Sequence, residues 1–220
     1  MLKPTTGQIK ANDAKLIADM LPILERHEGT VAHGYACTQG HITIGRGIMI
    51  SNEKAFANLE LYKKDGTEAS PKDRRAEYQR LLRRRNEAAT PDDKARPFNR
   101  AARFYDAPDA LVLSAGEIER TEKDAAIMHL KEAKRKFKGF DSLPFQARQV
   151  ILDMEFNMGS RFTAARWPSF FAAVKDGRWE DAANNTRSSQ IGEDRNNWRR
   201  DTIQAILRLD LRFAGGIIHS

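Results

Sequence analysis

Ile17, Met20, Leu21 and Leu24 recur at three- and four-residue spacing, the repeat that lines one face of an α-helix. The pattern predicts a first helix over 13–28, capped by Asn12, bent at Pro22 and stopped at Gly29. In the segment YACTQGHITIG the apolar residues become β-branched and flank a Gly-containing turn. This predicts a β-hairpin between 32 and 50, with Gly45 and Gly47 marking a bend or a close approach to the backbone. Residues 51–62 read as a short helix. Ser70 followed by Pro71 predicts another helix start, and the helix it opens has a basic surface and few apolar positions. Ser114 and Glu117 form a capping box ahead of a long helix that should end near Gly139. Ala147, Val150, Ile151, Met154 and Met158 then form a core stripe. Three short helices complete the chain: one opened by Pro168, one over 179–187 and one over 194–211.

These elements predict an α+β, mostly α fold arranged as a single domain over 1–220. Its parts are a first helix (13–28), a β-hairpin lobe (32–62), a basic helical insert (63–112), a connecting helix (113–138) and a helical lobe (139–213). At 220 residues and 40% hydrophobic content, the chain has enough apolar material for a substantial core. No apolar run reaches the roughly 18 residues of a membrane span, and the first residues carry no secretory signal pattern.

Charge changes this picture locally. The net charge is +7, and between Lys72 and Arg103 eleven Lys and Arg face five Asp and Glu. Nearly all the excess therefore sits in the insert. It reads either as a solvated helical face or as a surface for acidic wall polymers or a partner protein. Nucleic-acid binding rests on charge alone, without aromatic interleaving or a helix-turn-helix signal, and no nucleic-acid partner is expected. The five histidines lack metal-ligand spacing, so neither a metal nor a cofactor is expected.

The chain has one cysteine, which excludes an internal disulfide. Cys37 lies nine residues after Glu28 and six before Thr43, so a helix end followed by a hairpin can gather all three at one cleft. A carboxylic acid at the rim of a core can act as a general acid while a facing group holds water.

The order of EG, Y, TQG and TIGRG around these residues resembles the catalytic segment of the phage-type lysozymes, the muramidase family that includes endolysins of T-even and lambdoid phages. FNMG at 156–159, GRWEDAANN at 177–185 and NWRRDTI at 197–203 are similar to later family segments, as are LSAGE and FDSL around the long helix. The resemblance covers roughly 12–60 and 113–212, and the basic insert has no counterpart in it.

The resemblance implies a two-lobed, lysozyme-like fold and hydrolysis of the β-1,4 bond between N-acetylmuramic acid and N-acetylglucosamine in peptidoglycan. Glu28 would protonate the glycosidic oxygen and Thr43 would hold the attacking water. Cys37 stands where most members have Asp, as a charge-stabilising or nucleophilic thiolate, a modest base or a spectator. Tyr35, Phe156, Asn157 and Asn185 would line the sugar cleft. Arg199 would match the basic residue that pairs with the acid. The expected setting is a bacteriolytic monomer acting on the cell wall after delivery from the cytoplasm, with no stable membrane insertion and with an immunity or carrier protein as further partner classes. The competing reading is an inactive peptidoglycan-binding module in which Cys37 marks a decayed site.

Overall fold

In the computed structural model, residues 11–89, 98 and 100–215 are described, with side chains through 209. The chain divides into two compact units, one built from Glu28–Ala125 and the other from the first helix and the chain after Ala126. The fold is α+β and mostly helical, with one small antiparallel sheet.

The unit 28–125 is organised around that sheet. Strands β1 (Val31–Ala36), β2 (Ile42–Gly45), β3 (Ile48–Met49), β4 (Leu61–Tyr62) and β5 (Val112–Leu113) lie in the order β3-β2-β1-β5-β4. The alternation in β1 decides which residues face the interior. Gly34 and Ala36 are buried on one side, and Ala36 joins Ile42, Ile44, Phe56, Leu61, Tyr78, Leu81, Tyr105 and Leu113 in a continuous apolar cluster.

One expectation fails here. The segment 51–62 is not one helix: α2 covers only Glu53–Ala57, and Leu61 and Tyr62 pair with β5 instead. Leu61 is fully buried, so the sheet core fixes it where local pattern suggested a helix. The insert 63–112 is part of the same unit. Its last strand enters the sheet directly beside β1, and its long helix α3 (Pro71–Glu87) buries Glu77, Tyr78 and Leu81.

Helix α3 starts where Ser70 and Asp73 exchange side-chain and backbone hydrogen bonds, with Pro71 in the first turn. Its seating on the sheet depends on a missing side chain, because a Cβ at Gly34 would collide with Leu81. Three of its arginines point inward and bind backbone carbonyls. Arg74 donates to Ala69 O at 3.0 Å, Arg80 to Tyr105 O at 3.0 Å and Arg84 to Phe104 O at 2.9 Å. Lys72, Arg75 and Arg83 are exposed on the other side and make no ion pair among the described residues.

The second unit is helical. It contains α1 (Ala11–Glu28) up to His27, the later turns of α4 (Ala115–Lys136), and α5 (Phe145–Met158), α6 (Pro168–Lys175), α7 (Trp179–Asn184) and α8 (Glu193–Gly215). Asn12, read as a cap, lies inside α1. The stripe Leu16, Ile17, Met20 and Leu24 is buried with Val150, Ile151, Met154, Phe162, Phe170 and Ile203. Among the described residues no helix is long and apolar enough to cross a membrane.

Candidate functional site

The hairpin turn is built by two backbone hydrogen bonds. Gly40 N–H donates to Cys37 C=O at 2.8 Å, and Cys37 N–H donates to His41 C=O at 2.9 Å. Gly40 has φ +80°, the left-handed value that closes a three-residue hairpin loop and that a glycine adopts without strain. The turn fixes the register in which Tyr35 lies opposite Thr43 and Ala36 opposite Ile42.

Directly opposed residues share a face, and positions two apart on a strand do too. Tyr35 and Thr43 are therefore on one face of the hairpin, and Cys37, two residues after Tyr35, continues it. Thr43 is only 4% exposed, whereas Tyr35 and Cys37 are half-buried.

Glu28 reaches the same neighbourhood as the last residue of α1, where Gly29 at φ +68° turns the chain into β1. Electrostatics link the group. Burial, followed by the charged forms of Cys37 and Glu28, pushes the Tyr35 phenol above its ordinary pKa. The segment after Glu28 is anchored by Arg46, which donates to the Thr30 hydroxyl at 3.0 Å and forms an ion pair with the buried Glu122.

The hydroxyl of Thr43 has a definite polarity. Oγ1 donates its one proton to His41 C=O at 3.1 Å, which leaves its lone pairs to accept from another donor. The same carbonyl accepts the Cys37 amide, so one oxygen atom holds both Cys37 and Thr43 in place.

The remaining expected residues lie in the helical unit. Phe156 and Asn157 are half-buried at the end of α5, and the Phe156 ring packs 4.9 Å from that of His129. Asn185 follows α7, donates to Asp181 C=O at 2.8 Å and lines a shallow groove with Ser169 and Arg178. It is thus tied to its own helix rather than gathered with Phe156.

Arg199 is completely buried in α8 and its Nε donates to Asp153 at 2.5 Å. Arg195 pairs with the same carboxylate at 2.9 Å and His27 approaches it at 3.4 Å. Burial alone would push the Asp153 carboxyl up. The hydrogen bond from His27 and the charges of Arg199 and Arg195 overcome it and hold that carboxyl well below its ordinary range. Sequence reasoning passed over Asp153 and His27. The one available signal is an aspartate in the middle of the apolar stripe of α5, which needs a buried cation to be there.

A cavity of about 680 Å³ lies along α3 and is lined by Lys63, Asp73, Glu77, Arg80, Arg83 and Asp109 among others. Its charges largely compensate one another, since Lys63 pairs with Asp73 and Arg80 with Glu77. No group of three or more His, Cys, Asp or Glu side chains is placed to hold a metal ion among the described residues. No protein-family model matches the chain, and a search of curated proteins returns no match.

Proposed function

We propose that the chain is a peptidoglycan hydrolase that cleaves the β-1,4 bond between N-acetylmuramic acid and N-acetylglucosamine, with Glu28 as general acid. The observation that carries this reading is the joint placement of Glu28, Cys37 and Thr43 in one unit. A half-buried acid stands at a helix end, electrostatically linked through Tyr35 to a hairpin face that bears Cys37 and a hydroxyl with a fixed hydrogen-bond direction.

In this mechanism Glu28 gives its proton to the glycosidic oxygen as the bond to the anomeric carbon breaks. Water supplies the new bond to that carbon. Because the Thr43 proton is already engaged by His41 C=O, a water beside Oγ1 donates to it and turns an oxygen lone pair toward the sugar. The proton released as the new C–O bond forms passes to Cys37 as thiolate or to solvent. General acid catalysis of this kind contributes about 10²–10⁴-fold, and fixed orientation of the water adds to it.

The resemblance to phage-type lysozymes supports the substrate assignment, and Tyr35, on the hairpin face with Thr43, is the proposed glycan contact. Arg199 is proposed instead as an interior support, because it is fully buried. The proposed site of action is the bacterial cell wall.

Mass spectrometry of material released from purified peptidoglycan tests the proposal. The expected products are disaccharide muropeptides ending in reducing N-acetylmuramic acid, lost with Glu28→Gln. Release that survives this substitution would remove Glu28 from the role. Absence of release from the unaltered chain, together with retained binding to the polymer, would turn the reading into one of a binding module.

A further inference from the structure

The insert reaches the turn that carries Cys37. Phe98 N–H donates to Thr38 C=O at 3.3 Å, and its ring covers Gly40 so closely that a Cβ there would collide with it. The guanidinium of Arg85 stands 6.0 Å from the centre of the same ring. Just beyond, Phe104 is flanked by Arg84 at 3.9 Å and Arg100 at 5.7 Å, contacts that join apolar cover to cation–π attraction.

Two further attachments secure the insert to β1. His33 Nε2 lies 2.9 Å from Ala102 C=O, and Leu81 occupies the space above Gly34. Tyr105 is completely buried in the same cluster, and burial pushes its phenol up against the charges of Arg84 and Arg85, with Cys37 adding to the rise. The insert is therefore close enough to Cys37 for the two to interact electrostatically.

We infer that Phe98 is a positioning residue: by clamping the turn at Thr38 and Gly40, the insert sets the geometry of the Cys37–Thr43 pair. The route is short. Phe98 covers Gly40, Gly40 donates to Cys37 C=O, and His41 C=O beside it holds both the Cys37 amide and the Thr43 hydroxyl. A turn released from this cover can shift, and the two groups would shift with it. A misplacement of about 1 Å can cost about 10²-fold in rate. The role in catalysis rests on the proposed hydrolase activity, whereas the clamp itself does not.

The test uses the full chain with Phe98→Ala and Phe98→Leu and two readouts, muropeptide release and the rate of Cys37 alkylation by iodoacetamide across pH. Phe98→Ala should lower kcat by about 10- to 100-fold with KM changed less than roughly twofold, and should speed alkylation several-fold. Phe98→Leu, which keeps apolar cover over Gly40, should restore most of both. Equal alkylation rates in all three proteins would overturn the clamp whatever the activity. Faster alkylation at unchanged kcat would overturn the positioning role. If the unaltered chain releases no muropeptides, the hydrolase reading fails, and faster alkylation of Phe98→Ala still supports the clamp.

Discussion

Asp153 and Glu28 are both carboxylates set at helices, yet one is fully buried and the other half-buried. Asp153 has no exposure, sits among Arg195, Arg199 and His27, and is held ionised against its burial. Glu28 is half-buried at the last residue of α1, close to the hairpin that carries Tyr35, Cys37 and Thr43. A carboxylate that must hold a fold together is surrounded until it cannot change state. A carboxylate that gives a proton to a substrate, as proposed for Glu28, has to be reached by that substrate.

Crossing the two substitutions makes the sharpest test of this difference. Glu28→Gln should reduce muropeptide release by about 10²–10⁴-fold while lowering thermal stability less than the buried substitution does. Asp153→Asn strips the countercharge from two buried arginines and should cost about 3–5 kcal/mol of stability, read by denaturant unfolding. If Asp153→Asn left stability intact while Glu28→Gln unfolded the chain, the assignments of the two carboxylates would be reversed.

The two sites were not equally legible in the sequence. Glu28, Cys37 and Thr43 lie within sixteen residues of one another, so a helix end, a turn and strand alternation suffice to set them in one unit. The network around Asp153 joins residues 27, 153, 195 and 199, and no local pattern connects positions so far apart. The insert was legible only in part, for another reason. Its arginines read as surface charge, but Arg74, Arg80 and Arg84 donate to the backbone carbonyls of Ala69, Tyr105 and Phe104. Composition records charge and is blind to which side of a helix carries it.

A second contrast concerns pH. The Asp153 carboxyl is depressed in the folded chain, so it binds its proton less readily there than when unfolded, where its value returns to the usual range near 3.9. Its contribution to stability is therefore complete above that range and is lost as pH falls through the unfolded value toward the folded one. The melting temperature should drop steeply below about pH 5, and Asp153→Asn should flatten that drop. An equally steep acid limb in the variant would assign the acid sensitivity to other carboxylates.

The smallest effects should separate the two sides of α3. Arg80 pairs with Glu77, which is 5% exposed, and donates to Tyr105 C=O, so Arg80→Ala takes the paired guanidinium from a buried acid and should cost about 1–3 kcal/mol. Arg83, three residues on, is exposed and makes no ion pair among the described residues, and Arg83→Ala should change stability by no more than about 0.5 kcal/mol. Salt should sharpen the distinction, because exposed charges are screened beyond a Debye length of about 8 Å at physiological ionic strength while buried pairs are not. Binding to anionic wall polymer that weakens with salt and weakens further in Arg83→Ala would make the outer face a contact surface. Binding indifferent to both would leave α3 with one task, carried by its inner arginines, of tying the insert's own segments together.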